Sequence, residues 1–315
     1  MSPEFSIVIP VFNEEESLQE LISRIADAFK KFGHSYEIVF VDDGSTDTSL
    51  ELLKKYSRDH KNIHVISFRK NLGKSPALTV GFQHAKGDYV LTMDADLQDD
   101  PENISTLYEK LESGNFDLVS GWRKNRRDSF VKKISSKLFN NIIIPILFNV
   151  RLHDMNCGLK LYRKQFSKEL RIYGGMHRFI PVLAKEMGFK ATEEPIIHHP
   201  RKYGVSKYKP TKILTDVPDI ATMFFLTKYT RRPLHFFFQL GALLLVVGGA
   251  ILFYLVFIKL FLGQSIGGRP LLIFGVLFVI GGAQTIFTGL LADLIVNVNE
   301  KNMNDYLIKY KSSSL

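Results

Sequence analysis

Cysteine is almost missing. Cys157 is the only one in 315 residues, so no disulfide can form within the chain, which agrees with a reducing compartment. A signal peptide is also missing. The apolar run at residues 5–12 is short, has no basic stretch before it, and runs into Asn13-Glu14-Glu15-Glu16. No G-x-G-x-x-G follows the first expected strand and no G-x-x-x-x-G-K-[ST] occurs, which argues against dinucleotide-binding and P-loop proteins. No nucleic-acid-binding motif is recognisable. Acid is in deficit: the net charge is +9, so the partners to expect are anions such as phosphates or lipid headgroups.

Apolar residues make up 45% of the chain but are unevenly spread. From Pro233 onward Phe, Leu, Val, Ile and Gly dominate. Residues 234–262 and 271–296 form two runs, each able to span a ~30 Å hydrocarbon core with some tilt. The link at 263–269 is too short for a domain, so the two runs are expected to form a transmembrane hairpin. Lys228, Arg231 and Arg232 flank one end and Lys301, Lys309 and Lys311 the other. The positive-inside rule then puts both termini and the preceding domain in the cytoplasm, as a multi-pass protein of the cytoplasmic membrane. Gly248-Gly249-Ala250 and Gly281-Gly282-Ala283 permit close helix approach, within the hairpin or in a homo-oligomer, or are ordinary membrane-helix glycines. Four parts are expected: a soluble domain at 1–210, a juxtamembrane helix at 211–232, the hairpin at 233–300 and a tail at 301–315.

The soluble part alternates. Expected strands at 5–12, 36–41, 63–68, 89–93 and 116–120 are rich in Val, Ile and Phe, and helical spacing of apolar residues follows the first three. Asn13 is placed to cap the first helix. This order predicts an α/β fold with a parallel sheet covered on both faces, and right-handed crossovers put the strands' carboxyl ends on one rim. Asn13, Asp42, Asp43, Asn71, Lys74, Asp94, Asp96 and Arg123 would line it. Residues 129–150 mix lysines with apolar residues around Pro145, and fit an amphipathic helix at a membrane surface or a core helix.

The chemistry centres on Asp94-Ala95-Asp96, at the end of the fourth strand. Ligands of open α/β sheets sit at that end. Asp94, Asp96 and Gln98 offer hard oxygen ligands for Mg²⁺ or Mn²⁺, whose remaining positions would go to water and diphosphate. The plainer reading is that Asp99 or Asp100 caps the helix starting near Pro101 and that Asp94 and Asp96 are solvated. One of Asp42 and Asp43 fits a turn-capping role, and the other can accept from a base or ribose. The basic loop Arg201 to Tyr208, which contains Lys207, suits a diphosphate. Arg123, Lys124, Arg126, Arg127, Lys132 and Lys133 form a second cationic group. His177-Arg178 fits either substrate contact or the surface.

Taken together, Val8-Ile9-Pro10-Val11-Phe12-Asn13-Glu14, Val41-Asp42-Asp43-Gly44-Ser45, Asn71-Leu72-Gly73-Lys74, Asp94-Ala95-Asp96-Leu97-Gln98 and Arg201…Ser206-Lys207-Tyr208 resemble the signature set of family-two glycosyltransferases with the GT-A fold. The resemblance is to the polyisoprenyl-phosphate branch, and the two-helix tail is similar to that of bactoprenol glucosyltransferases. It implies that Pro10, Glu14, Asp42 and Asp94 contact the nucleotide, with Asp43, Asn71, Lys74 and Asp96 in the same donor site. It also implies that Asp94, Asp96 and Gln98 surround the metal and that Arg201 and Lys207 hold phosphate. Arg123, Lys132 and Ser136 match positions that meet the lipid phosphate. Asp154 is a candidate general base beside Asp94 and Asp96. The Q-x-x-R-W signature of processive synthases is missing, so one sugar is expected per turnover. The implied reaction is inverting, metal-dependent transfer of a hexose, first of all glucose from UDP-glucose, to undecaprenyl or another polyisoprenyl phosphate. Mannose from GDP-mannose and a modified arabinose from UDP are alternatives, as is a membrane protein that binds nucleotide sugar without turnover.

Overall fold

Buried β-branched runs build the first half of the sheet. In the computed structural model, which describes residues 2–124, 139–203, 212–229 and 232–300, β1 (Phe5–Val11), β2 (Tyr36–Asp42), β3 (Ile63–Ser67) and β4 (Tyr89–Thr92) are parallel neighbours. Helices α1 (Leu18–Phe32), α2 (Ser49–Asp59) and α3 (Lys74–His84) connect them, and α4 (Asn103–Ser113) leads to β5 (Leu118–Trp122). Then come α5 (Ile144–Phe148), β6 (Lys160–Arg163), α6 (Lys164–Glu169), α7 (Ile180–Glu186), β7 (Ala191–Pro195) and α8 (Lys212–Lys228). The sheet order is β3-β2-β1-β4-β6-β5-β7.

The sheet departs from the expected all-parallel form at one place. β6 inserts between β4 and β5 and runs antiparallel to both, while β7 adds in parallel at the edge beside β5. Neither strand has a β-rich sequence: KLYR is four residues long and ATEEP is polar. Their partners, not local propensity, make them strands. The insertion sets Lys160 opposite Thr92 and brings the loop at Gly158 alongside the carboxyl end of β4.

Packing on the sheet follows helical spacing. Leu18, Leu21, Ile25 and Phe29 lie on one face of α1 and are buried against Phe5, Ile7 and Ile9. Each such side chain contributes about 1.5–3 kcal/mol by leaving water. Asn13 does not cap α1. It takes a left-handed backbone with φ 52°, and its Oδ1 accepts the Thr46 N–H at 2.7 Å. Glu15 in turn accepts the Thr48 N–H at 2.8 Å. The loops after β1 and β2 are therefore braced to each other at the rim. Within residues 129–150, a π-helical turn at Phe139–Ile143 precedes α5. Asn140, Ile144 and Phe148 are buried, whereas Ile142 and Ile146 are exposed.

The chain divides into two units, residues 1–223 and 224–315. In the second, α9 (Pro233–Phe261) and α10 (Pro270–Glu300) are long and apolar enough to cross a membrane. They pack on each other through glycine. A Cβ added to Gly282 would lie 2.7 Å from the Gly241 carbonyl oxygen, and one added to Gly248 would lie 2.9 Å from that of Gly275. Gly249 and Gly281 face open space. The glycine pairs are thus split, with one member of each inside the hairpin. Gly282→Leu should lower the thermal midpoint of the detergent-solubilised protein, with an overpacking cost of about 1–3 kcal/mol. Gly249→Leu should stay within about 0.5 kcal/mol. Equal effects would refute this packing.

Candidate active site

The end of β4 turns sharply. Leu97 has φ 60°, a left-handed conformation unusual for leucine, and is buried. The turn lets the Gln98 N–H return to Asp96 Oδ1 at 3.1 Å. Strain at a non-glycine residue persists only where the surroundings enforce it. Here the enforcement comes from residues 196–201, which run along 98–103. The His199 N–H donates to the Gln98 carbonyl at 2.7 Å, Asn103 exchanges bonds with the backbone of Ile197, and His199 Nε2 lies 2.7 Å from Asp100 Oδ2. Asp100 also accepts the Glu102 N–H at 3.0 Å and so braces the turn before α4, whose N-cap residue is Glu102, and Asp94 and Asp96 are ion-paired, not solvated as the plainer reading expected.

This pairing delivers Arg201. Its Nη2 lies 2.5 Å from Asp96 Oδ2, and its Nη1 lies 3.7 Å from Glu14 Oε1. Asp94 meets a different cation: Lys74, the first residue of α3, bonds Asp94 Oδ1. The two acids then behave differently. Burial raises the pKa of Asp94, but Lys74 outweighs it and holds the carboxyl below its usual range. Asp96 is pushed up, by burial and by the charge on Asp94. Asp99, absent from the expected site, is buried beside them and is pushed up to about 7, by burial first and then by Asp94. Three carboxyl groups crowd one strand end, and a hard divalent cation would relieve their repulsion.

The oxygens of Asp94, Asp96 and Gln98 suit such a cation. Among the described residues, no group of three His, Cys, Asp or Glu side chains is already arranged to hold one. Lys74 and Arg201 neutralise the two acids instead, and the Gln98 side-chain amide lies 3.4 Å from the His199 carbonyl.

The remaining residues expected in the donor site are mostly tied down. Asp42 Oδ1 accepts the Ser45 N–H at 3.1 Å, and Oδ2 accepts the Ser67 hydroxyl at 2.7 Å. Asp43 accepts the N–H groups of Leu72 (2.6 Å) and Gly73 (2.9 Å), which fixes the loop carrying Asn71 next to Lys74. Both acids therefore brace turns. Gly44 has no alternative in that brace, because its φ is +71° and a Cβ would lie 2.6 Å from the Lys70 carbonyl carbon. Asn71 is exposed, and Pro10 is half-buried near the end of β1.

Arg123 and Asp154 meet across the other side of β6. Arg123 Nε and Nη2 donate to Asp154 at 2.7 and 3.0 Å, and the Asn156 N–H reaches the same carboxylate at 3.2 Å. Glu193 on β7 holds the backbone of His153 at 2.8 Å. Asp154, expected as a candidate base, is the bidentate partner of the Arg123 guanidinium. Lys132, Ser136 and Lys207 lie outside the described residues. Arg178, left open between substrate and surface, is buried. Lys160 was missed: it is buried where β6 begins, and no local pattern marks it.

Residues 6–171 match the family described as Glycosyl transferase family 2. The chain is 40% identical over 298 residues to the dodecaprenyl-phosphate galacturonate synthase of Rhizobium johnstonii, covering 93% of this chain and 88% of that one. It is 37% identical over 293 residues to the undecaprenyl-phosphate 4-deoxy-4-formamido-L-arabinose transferase of Salmonella paratyphi B, covering 92% and 87%. Glucosyl-3-phosphoglycerate synthase from Mycobacterium tuberculosis, solved with Mn²⁺, uridine diphosphate and phosphoglyceric acid, shares the fold. Its TM-score is 0.51 at 19% identity, over 71% of this chain and 77% of that one.

Asp99 gives a pH test. Its folded pKa of about 7 lies above the unfolded value of about 3.9, so the folded state holds the extra proton between these values. Its contribution to stability is therefore lost as pH rises from about 4 to about 7. With a chelator present, Asp99→Asn should gain thermal midpoint over the parent between pH 5 and 7.5. A constant difference would show that Asp99 titrates normally.

Proposed function

The chain belongs to glycosyl transferase family 2 as a polyprenyl-phosphate sugar transferase, and on that premise we propose how it works and with what. The donor is a nucleotide sugar, UDP-linked in our reading, and the acceptor is undecaprenyl or a similar polyprenyl phosphate at the cytoplasmic face of the membrane. The observation that carries this reading is the pairing of Asp94 with Lys74 and of Asp96 with Arg201 at one strand end. Acids and cations alternate there, as a metal–diphosphate leaving group requires.

The step is a direct displacement. A phosphate oxygen of the acceptor forms a bond to the anomeric carbon on the face opposite the leaving group. The bond from that carbon to the nucleotide diphosphate breaks, and the configuration inverts. The acceptor is already anionic near neutral pH, so no strong base is required, and the pairing of Asp154 with Arg123 suits a positioning role better than proton abstraction. Asp94, Asp96 and Gln98 would hold Mg²⁺ or Mn²⁺, which supplies positive charge for the departing diphosphate. Arg201 can leave Asp96 for a diphosphate oxygen once donor binds, and Lys207 would assist. Arg123, with Lys132 and Ser136, meets the acceptor phosphate. Two phosphate charges ~4 Å apart repel by about 4 kcal/mol at an effective dielectric of 20, and these cations offset that. The hairpin keeps the enzyme in the phase where its acceptor lives.

The sugar is less constrained than the reaction. Glucose was expected from the two-helix tail. The relatives that span this tail are named for galacturonate and for formamido-arabinose, so the tail does not single out glucose. UDP-glucose remains one candidate beside these.

Purified protein given undecaprenyl phosphate, Mn²⁺ and radiolabelled nucleotide sugars should form a labelled lipid. Failure with every common donor would overturn the reading. Arg123→Ala should raise KM for the lipid by about tenfold or more, as loss of a charge-assisted contact does, and leave KM for the donor near its parent value. Equal rises would remove Arg123 from the acceptor site.

A further inference from the structure

β7 is a polar edge strand, and its two glutamates face opposite ways, as successive strand residues do. Glu194 Oε2 meets Lys110 Nζ of α4 at 3.5 Å in a partly exposed pair. Glu193 turns to the other face, where its side chain is 13% exposed. There it is bonded three times to one short segment. Oε2 accepts the backbone N–H of His153 at 2.8 Å and that of Asp154 at 3.4 Å, and Oε1 is bonded to Nδ1 of the His153 ring. A carboxylate has about four acceptor positions, so this one spends most of its capacity on two residues of a loop.

Two further contacts fix the same segment. The His153 ring lies flat on the Trp122 indole, with centres 4.1 Å apart and planes 15° apart. The His153 carbonyl accepts the buried Asn140 amide at 2.8 Å. The next residue, Asp154, takes Nε and Nη2 of Arg123, which follows Trp122 at the end of β5. Such a two-point grip leaves a planar guanidinium little freedom to turn. An arginine has five N–H groups, and the two that meet Asp154 leave three to face an anion. Asp154 sets the direction of those three, and Glu193 sets the place of Asp154.

Resting on the reading of Arg123 as the contact for the acceptor phosphate, we propose that Glu193 is a positioning residue for the polyprenyl phosphate: its bonds to the backbone of His153 and Asp154 aim Arg123. Glu193 acts through Asp154 and not on the substrate itself. It works through two N–H groups, so its reach matters more than its charge. Glutamine keeps an acceptor oxygen at the same distance, and its amide can donate to the His153 ring nitrogen. Aspartate keeps the charge but falls short by one carbon–carbon bond, ~1.5 Å. That shortfall takes the carboxylate out of hydrogen-bond range of the loop.

The test needs no sugar donor. Full-length purified protein is titrated by calorimetry with farnesyl phosphate, a short polyprenyl phosphate, and separately with UDP and Mn²⁺. Arg123→Ala, Glu193→Ala and Glu193→Asp should each weaken farnesyl phosphate binding by about tenfold. Glu193→Gln should stay within about threefold of the parent, and UDP affinity should hold in every variant. The double variant Arg123→Ala/Glu193→Ala should bind farnesyl phosphate no more weakly than Arg123→Ala, because both changes disable one device. If Glu193→Ala does not fold, the order of Glu193→Gln and Glu193→Asp decides. Parent-like binding by Glu193→Asp, a loss in Glu193→Gln as large as in Glu193→Asp, additive losses in the double variant, or an equal loss of UDP affinity overturns the inference and leaves Arg123 in the acceptor site. Unchanged farnesyl phosphate binding by Arg123→Ala, or none by the parent, defeats the acceptor reading and the inference with it.

Discussion

Two carboxylates one residue apart at the end of a buried strand repel each other, and this site stands because each one meets a cation from elsewhere in the fold. At ~4 Å and an effective dielectric of 20 the repulsion is about 4 kcal/mol, comparable to a large part of a domain's net stability. Lys74 arrives at Asp94 from the first turn of α3, which Asp43 anchors through the loop before it. Arg201 arrives at Asp96 on a segment that runs along residues 98–103. The left-handed Leu97 keeps the pair of acids at the rim. Remove either cation and the acids must take up protons or move. The same arrangement is suited to a donor, since a diphosphate and a cation can exchange with the internal pairs without leaving any buried charge alone.

Much of this was legible in the sequence. The first four strands are continuous apolar runs, as strands buried on both faces must be, and each ends in the polar residues that line the rim. The acids after β4 and the arginine 105 positions beyond Asp96 stand in recognisable motifs. What stayed hidden depends on long-range pairing. β6 and β7 are short and polar, and only their neighbours make them strands. Asp42 and Asp43 were divided between a brace and a ligand; both also brace the rim, because Ser67 at the end of β3 and Leu72 in the loop after it donate to them. Lys160 and Asp99 look like surface residues in the sequence. Only the insertion of β6 beside β4 buries the first, and only the crowding at the strand end perturbs the second.

The acceptor explains the rest of the chain. A polyprenyl phosphate has its tail in the hydrocarbon and its charge at the surface. An α/β unit followed by two helices long and apolar enough to cross a membrane suits both demands, and glycines let α9 and α10 approach each other.

The central claim is that the acids at the end of β4 hold a leaving diphosphate through a divalent cation. Calorimetric titration of UDP into the purified protein, with and without Mn²⁺, tests it without turnover. The parent protein should bind UDP at least about tenfold more tightly with Mn²⁺, and Asp96→Asn should bind with one weak affinity in both conditions. Equal affinity of the parent with and without Mn²⁺, or undiminished metal dependence in Asp96→Asn, would contradict the account.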